Sequence, residues 1–346
     1  MANNADNITG IEYSKRLGII SPDQFQAALK RFDLGDFLEA APVTGGLFGQ
    51  NVFVTSTKGQ YVLRGAPHYP WQFPKECFGA KLLHERTCVP VAYPYLLDAA
   101  EDIFGWNYIL MPRMQGVSPT DKKLTGADNV NIAREIGKTL AEMHDLTWEF
   151  AGEYDLTAGT IIPFAEGFSQ WIVSDVRRWL ESAQKHGART TDEDADWIEK
   201  LIMEAEPALS ISFQPCFVMN DTNPGNFLVR RSSDRWNMSG LFDLMEYSFG
   251  DGEVDLMRLT AHYLDLGGHQ DTALASVFGN AYFEEKPMRP GFAQRHPLYM
   301  ARERLIVWEY GTRPECRWFD GLPKDISFQK WAERLTSSYR LFSSCV

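Results

Sequence analysis

Three residues in the second half of the chain have the types and spacing that phosphoryl transfer needs. Asp221 and Asn226 share the stretch Val218-Met-Asn-Asp-Thr-Asn-Pro-Gly-Asn-Phe-Leu-Val229, and Asp243 follows Leu241-Phe at the end of the next apolar run. One carboxylate can handle the proton of an acceptor hydroxyl, while an amide and a second carboxylate can hold magnesium on nucleotide phosphates. Thr222-Asn-Pro-Gly225 by itself is ordinary turn chemistry, whose Asp and Asn bond locally to backbone. The flanking runs Cys216-Phe-Val-Met219 and Phe227-Leu-Val229 change that reading, because both polar side chains then leave a buried, hairpin-like unit. Asp243 lies at the distance of a returning strand.

Such side chains need a scaffold, and the upstream sequence offers one in the right order. Val43-Thr-Gly-Gly-Leu-Phe-Gly-Gln-Asn-Val-Phe-Val-Thr55 is a glycine-rich stretch running into a strand. Gly45, Gly46 and Gly49 would let backbone N–H groups come close to phosphates, although a plain hairpin turn would use the same glycines. Lys58-Gly59 predicts a turn and Tyr61-Val-Leu-Arg64 the returning strand. Ser21-Pro22 predicts the start of a helix that runs to Phe32. Residues 74–86 suit a second helix opened by Pro74, with Glu76 in its first turn, where an acid also suits the helix dipole. Asn107-Tyr-Ile-Leu-Met111 reads as a strand broken by Pro112 and Gly116. Helical periodicity then takes over: Ile132, Ile136, Leu140 and Met143 share one face, as do Phe168, Trp171, Ile172, Val176, Trp179 and Leu180. Residues 297–311 and 327–342 also read as helical. A strand-rich first third joined to a helical remainder predicts an α+β fold of two lobes with a cleft between them. Residues 1–113 would form a small β-rich nucleotide-binding lobe with a helical N-terminal extension, and residues 114–346 a larger, mostly helical catalytic and acceptor-binding lobe.

In these motifs the chain resembles the aminoglycoside phosphotransferase/choline kinase-like family, a branch of the protein-kinase-like fold. The family's catalytic loop reads His-Gly-Asp-x-x-x-x-Asn, followed by a strand and an Asp-[Trp/Phe/Leu]-x-x-x-x-x-Gly-Asp-x-x-x-Asp-Leu segment. This chain has Met219-Asn220-Asp221-Thr-Asn-Pro-Gly225-Asn226, then Asp243-Leu-Met-Glu246-Tyr-Ser-Phe-Gly250-Asp251-Gly-Glu-Val-Asp255-Leu256. The resemblance implies that Asp221 is the catalytic aspartate, that Asn226 and Asp243 are magnesium ligands, and that Asp255 is a structural acid closing the loop. It also implies that Arg64 stands where many kinases carry a phosphate-binding lysine, keeping the charge but presenting a fork. Glu76 would be its ion-pair partner. Asn107–Gly116, with Met111, would be the hinge that receives the purine through backbone groups. His144, in Leu140-Ala-Glu-Met-His144, is expected to pack rather than catalyse. Met219-Asn220 in place of His-Gly puts the chain in a divergent branch.

Composition bounds the partners. With 346 residues and 44% hydrophobic, the chain can bury a substantial core. No apolar run approaches a membrane span, and Met1-Ala-Asn-Asn-Ala-Asp has neither the basic region nor the apolar core of a signal peptide. Five scattered cysteines lack metal-ligand spacing and suit reduced thiols in the cytoplasm. A net charge of −12 argues against nucleic acid and is compatible with a cationic small substrate. The expected reaction is transfer of the γ-phosphoryl group of ATP or GTP, with Mg2+, by a monomer or homodimer. The expected acceptor is a hydroxyl of an aminoglycoside-type antibiotic or related aminosugar, with a macrolide, choline or a sugar as alternatives. Asp192, Glu193, Asp194 and Asp196 suit a polyamine-like substrate, but compensation of a helix dipole is the simpler reading. Glu303, Glu309 and Asp320 fall in the region that borders the acceptor in relatives, and Tyr299, Trp308, Tyr310, Trp318 and Phe319 would suit a flatter one. Trp171 and Trp179 read as core. The lost His-Gly and Arg64 also motivate a kinase-fold protein that binds without catalysing. A protein kinase fits poorly: no Ala-Pro-Glu-like segment is present, and the gap from Asp243 to Asp255 leaves little room for an activation loop.

Overall fold

The structure, a computed structural model, describes residues 10–43, 48–186, 189–233, 235–265, 271–313, 322 and 325–342. Gly45, Gly46, Trp318, Phe319 and Asp320 lie outside the described residues.

The N-terminal lobe is built on a five-stranded antiparallel sheet. Its strands are β3 (Phe37–Pro42), β4 (Asn51–Ser56), β5 (Gly59–Gly65), β6 (Leu96–Asp98) and β7 (Tyr108–Pro112), in the order β3-β4-β5-β7-β6. A hairpin of β1 (Ile11–Ser14) and β2 (Gly18–Ile20) leads into α1 (Pro22–Arg31). As expected, Ser21 caps α1: its hydroxyl accepts from Gln24 N while the Gln24 side chain accepts from Ser21 N. The helix α2 (Gln72–Arg86) starts slightly before the predicted Pro74, which sits in its first turn where a missing N–H costs nothing. Along β7 the side chains alternate between two cores, as the two-residue period of a strand requires. Tyr108 and Leu110 join Phe25 and Leu29 of α1, while Ile109 and Met111 join Phe73 and Ala80 of α2.

The second lobe is mostly helical. It contains α3 (Gly126–Met143), α4 (Gly167–His186), α5 (Asp192–Leu209), α6 (Leu256–Leu264), α7 (Thr272–Glu285), α8 (Phe292–Thr312) and α9 (Phe328–Thr336). The helix α8 packs on α4, α5 and α9, and α3 packs on α7. Four short strands, β8 (Gly152–Asp155), β9 (Thr160–Pro163), β10 (Cys216–Val218) and β13 (Ser248–Gly250), form a sheet in the order β10-β13-β8-β9. The hairpin of β11 (Phe227–Ser232) and β12 (Arg235–Leu241) stands apart from it. The acids at the start of α5 serve the helix, as the simpler reading held. Thr191 Oγ1 accepts from Asp194 N, and the buried Asp194 returns the bond to Thr191 N and also accepts from Gln329 N at 2.8 Å. The two lobes give the predicted α+β architecture. Among the described residues no helix is long and apolar enough to cross a membrane, and Cys77, Cys88 and Cys216 are free.

Candidate active site

The strand β10 runs directly into the loop that carries Asp221, and Asp255 holds that loop in place. Its Oδ2 accepts from Met219 N at 2.7 Å, its Oδ1 from Asn220 N at 2.8 Å, and its carbonyl from Thr222 Oγ1 at 2.8 Å. His144 Nε2 lies 3.2 Å from Asp255 Oδ2, and its Nδ1 lies 2.8 Å from the Tyr282 hydroxyl. The histidine is thus a buried strut behind the loop, in line with the expected packing role. Asn220 explains how the chain manages without the family's glycine. Its φ of +63° is left-handed, a conformation in which Asn is the best tolerated side chain after Gly. The Asn220 amide then donates to Glu246 O at 3.1 Å and to Ser248 Oγ at 2.9 Å, bonds that glycine could not make.

Register brings the predicted site residues together. Asn226 Nδ2 donates to Asp221 O at 3.0 Å and to Asp221 Oδ2 at 3.1 Å, so its Oδ1 is the atom left facing away. Phe227 pairs with Leu241 across the hairpin, and Phe242 N donates to Asn226 O at 3.2 Å, which returns the chain so that Asp243 emerges beside Asn226. Asp243 has a φ of +64° and accepts at Oδ1 from Arg64 Nη2 at 2.8 Å. The same Nη2 lies 3.1 Å from Glu76 Oε1, so the expected Arg64–Glu76 pair is formed and extended to Asp243. Among the described residues, Arg64 Nε and Glu76 Oε2 are buried without a partner. Burial pushes the Glu76 carboxyl up to about 7 against the pull of Arg64, and Asp243 adds to the rise.

A polar chain that the sequence did not disclose continues this pair toward the glycine-rich segment. Gln72 Nε2 donates to Glu76 Oε1 at 3.0 Å and to Gln50 Oε1 at 3.2 Å, and Gln50 Nε2 donates to Ala66 O at 3.0 Å. Gln50 follows Gly49, which has a φ of +62° and accepts at its carbonyl from Ser14 Oγ at 2.6 Å. Met111 pairs with Val62 of β5, while β6 pairs only with Tyr108 to Leu110. The edge of β7 at Met111 therefore has no strand partner on the β6 side.

Asp221 and Asp243 both line a cleft of about 560 Å³, whose other lining includes Trp71, Lys75, Glu246, Arg258 and residues of α4 and α8. Arg258 is a site residue that sequence reasoning missed. Its Nη2 lies 3.0 Å from Asp221 Oδ1 and its Nη1 lies 2.7 Å from Glu303 Oε1. It sits one turn past Asp255 on α6, and nothing in that local sequence shows which carboxylate it meets. Trp171 and Trp179, read from periodicity as core, are half-buried and line the cleft. A helical stripe marks the face that is covered but not what covers it. Of the α8 candidates, Glu303 and Tyr310 line the cleft, Tyr299 and Trp308 are buried, and Glu309 is buried against Arg313 and Ser182.

Comparison with known proteins agrees with this geometry. The sequence profile of the phosphotransferase enzyme family, APH, matches residues 39–297. Among curated protein sequences none matches the chain. Solved structures that share its fold include three phosphotransferases. Aminoglycoside phosphotransferase APH(4)-Ia, as a thermostable variant in complex with ADP and hygromycin B, superposes with a TM-score of 0.62 at 14% identity, over 90% of this chain and 97% of that chain. Spectinomycin phosphotransferase APH(9)-Ia, with ADP and spectinomycin, gives 0.57 at 14% identity over 91% and 98%. Macrolide 2'-phosphotransferase MphH from Brachybacterium faecium gives 0.54 at 17% identity over 88% and 99%. The fold is therefore the bilobal protein-kinase-like one. With most of its length inside the profile and that fold around its cleft, the chain belongs to the APH phosphotransferase enzyme family.

Proposed function

We propose that this protein is a small-molecule kinase that transfers the γ-phosphoryl group of ATP or GTP, with Mg2+, to a hydroxyl of a small acceptor. The observation that carries this reading is the meeting of Asp221, Asn226 and Asp243 with the Arg64–Glu76 pair beside one cleft. Asp221 is gripped at both oxygens, Oδ1 by Arg258 and Oδ2 by Asn226, so its carboxylate is held in one orientation. A carboxylate so fixed accepts a hydrogen bond from the acceptor hydroxyl and aims that oxygen at the γ-phosphorus. Catalysis in this scheme is chiefly positioning. Arg64, with Nε unpaired, would grip phosphate oxygens, and the backbone around Met111 and Gly49 would receive the nucleotide.

The donor set fits magnesium. The Oδ1 of Asn226 and the second oxygen of Asp243 would offer hard oxygen donors at one end of a hairpin, and such ions take most remaining ligands from phosphate and water. When bound, magnesium neutralises charge on the transferring phosphoryl group. An aminoglycoside-type antibiotic or related aminosugar is the acceptor expected from the sequence, and structures of the same fold hold spectinomycin and hygromycin B; the charges lining this cleft decide between an aminated and a neutral ring. Calorimetric titration of ATP and GTP, with and without Mg2+, tests the reading. Wild type should bind only weakly without metal, and Asp243→Ala should lose at least tenfold of its metal-dependent affinity. Metal-independent binding unaltered by the substitution would sink the proposal.

A further inference from the structure

The cleft contains a cation that the scheme above leaves unused. Lys75 on α2 is only 7% exposed, yet among the described residues its ammonium makes no hydrogen bond or ion pair. It lies over the rings of Trp71 and Tyr247, at 5.2 Å from each centroid, with its tip on the cleft. A buried ammonium carries three donors that water or a ligand must satisfy. The carboxylates of Glu246 and Glu153 also line the cleft, attract Lys75 from beyond contact distance, and among the described residues make no ion pair of their own. The remaining acids on the cleft are already neutralised from within. Arg178 and Arg302 hold Asp175, Arg258 and Arg304 hold Glu303, and Arg258 and Arg64 hold Asp221 and Asp243.

From this arrangement we infer that the acceptor is a neutral polyhydroxylated ring, a sugar or cyclitol rather than a polycation. It would be held by Lys75 donating to, and Glu246 accepting from, adjacent ring hydroxyls. The inference rests on the kinase reading and names its acceptor class. A hydroxyl satisfies both partners at once, since it accepts from the ammonium and donates to the carboxylate. An ammonium on the ligand would meet Lys75 with like charge, and a carboxylate would meet Glu246 and Glu153 in the same way. A polycation would also find most of the cleft's acids already paired with arginine. The walls suit the C–H faces of a ring: Trp71 stacks on Tyr69 with centroids 5.0 Å apart, and Trp171, Trp179 and Tyr310 line the same cleft.

Phosphoryl-transfer assays on the full chain test this, with ATP and GTP plus Mg2+. The neutral acceptors are glucose, galactose, maltose, N-acetylglucosamine and myo-inositol, set against the polycations kanamycin and neomycin. At least one neutral compound should be turned over with kcat/KM tenfold or more above either aminoglycoside. Lys75→Met and Glu246→Gln should each raise KM for that compound tenfold or more, with the nucleotide Kd unchanged. Because Lys75 is buried, the open-surface Glu246→Gln variant keeps the test valid should Lys75→Met fail to fold. Preference for kanamycin or neomycin overturns the inference while leaving the kinase reading intact, as does nucleotide binding without turnover of any neutral compound. A neutral acceptor whose KM ignores both substitutions overturns it too. Failure to bind ATP or GTP at all removes the kinase reading, and this inference with it.

Discussion

Asp221 is the residue whose surroundings say most about how the proposed reaction would run. A carboxylate bonded at one oxygen can swing, whereas one held by Arg258 on one side and Asn226 on the other presents a fixed edge to the cleft. Replacing it by an amide of the same shape removes the base and keeps only one of the two accepted bonds, because the new NH2 must face a donor of either Arg258 or Asn226. Asp221→Asn should therefore lower kcat by roughly 10²–10⁴-fold with the nucleotide Kd unchanged, measured by a coupled assay and calorimetry. Turnover at the wild-type rate would remove Asp221 from its role. Arg258 works through Asp221, so Arg258→Met should lower kcat by about tenfold in wild type and far less in an Asp221→Asn background. Non-additivity of that kind is the mark of residues acting as one unit.

At the scale of elements, the loop that carries Asp221 and Asn226 was legible in the sequence because its pattern is local. Asp221 and Asn226 are joined by a short turn, and Asp243 by a single hairpin, so chain order already fixed their neighbourhood. Arg258, Gln50, Gln72 and Lys75 were not legible, because each acquires its partner through packing between elements remote in sequence. Lys75 shows the difficulty well: it stands next to Glu76 on α2, yet one faces Tyr247 and the cleft while the other faces Arg64. The loop's left-handed residue offers a test of how Met219-Asn220 substitutes for His-Gly. Asn220→Ala loses two hydrogen bonds and takes a strained φ, at a cost of about 2–3 kcal/mol. Asn220→Gly loses the bonds but relieves the strain and should cost about 1–2 kcal/mol less than Ala. Chemical denaturation of both variants checks the order, and equal losses would show that the backbone angle is not what Asn220 supplies.

For the whole molecule, the two-lobe α+β plan was readable from the shift from strand to helix periodicity; Trp171 and Trp179 pack on the core as read, but periodicity could not show that they also line the cleft. Buried histidines set a pH dependence of the entire fold. His296 is held between Thr336 O and Ser338 Oγ, and burial lowers its pKa to about 3. The unfolded chain would take up that proton near 6.5, so the contribution is full above pH 6.5 and is lost as pH falls toward 3. Between pH 7.5 and 5 this amounts to about 2 kcal/mol. His262, lowered to about 4 by burial and by Arg304 and Arg258, acts in the same sense, whereas Glu76 and Glu253, raised to about 7 by burial, act oppositely between pH 4.5 and 7. The difference between wild type and His296→Gln isolates the histidine: the gap in stability should narrow by about 2 kcal/mol from pH 7.5 to 5. A gap independent of pH would mean that His296 titrates alike in both states. The alternation along β7 bears on a property of another kind. Because neighbouring residues of one strand are committed to different cores, neither core can melt without withdrawing side chains from the other. Heating should therefore give one endotherm, with calorimetric and van't Hoff enthalpies in agreement, although a molecule of two lobes would ordinarily be expected to come apart in two steps.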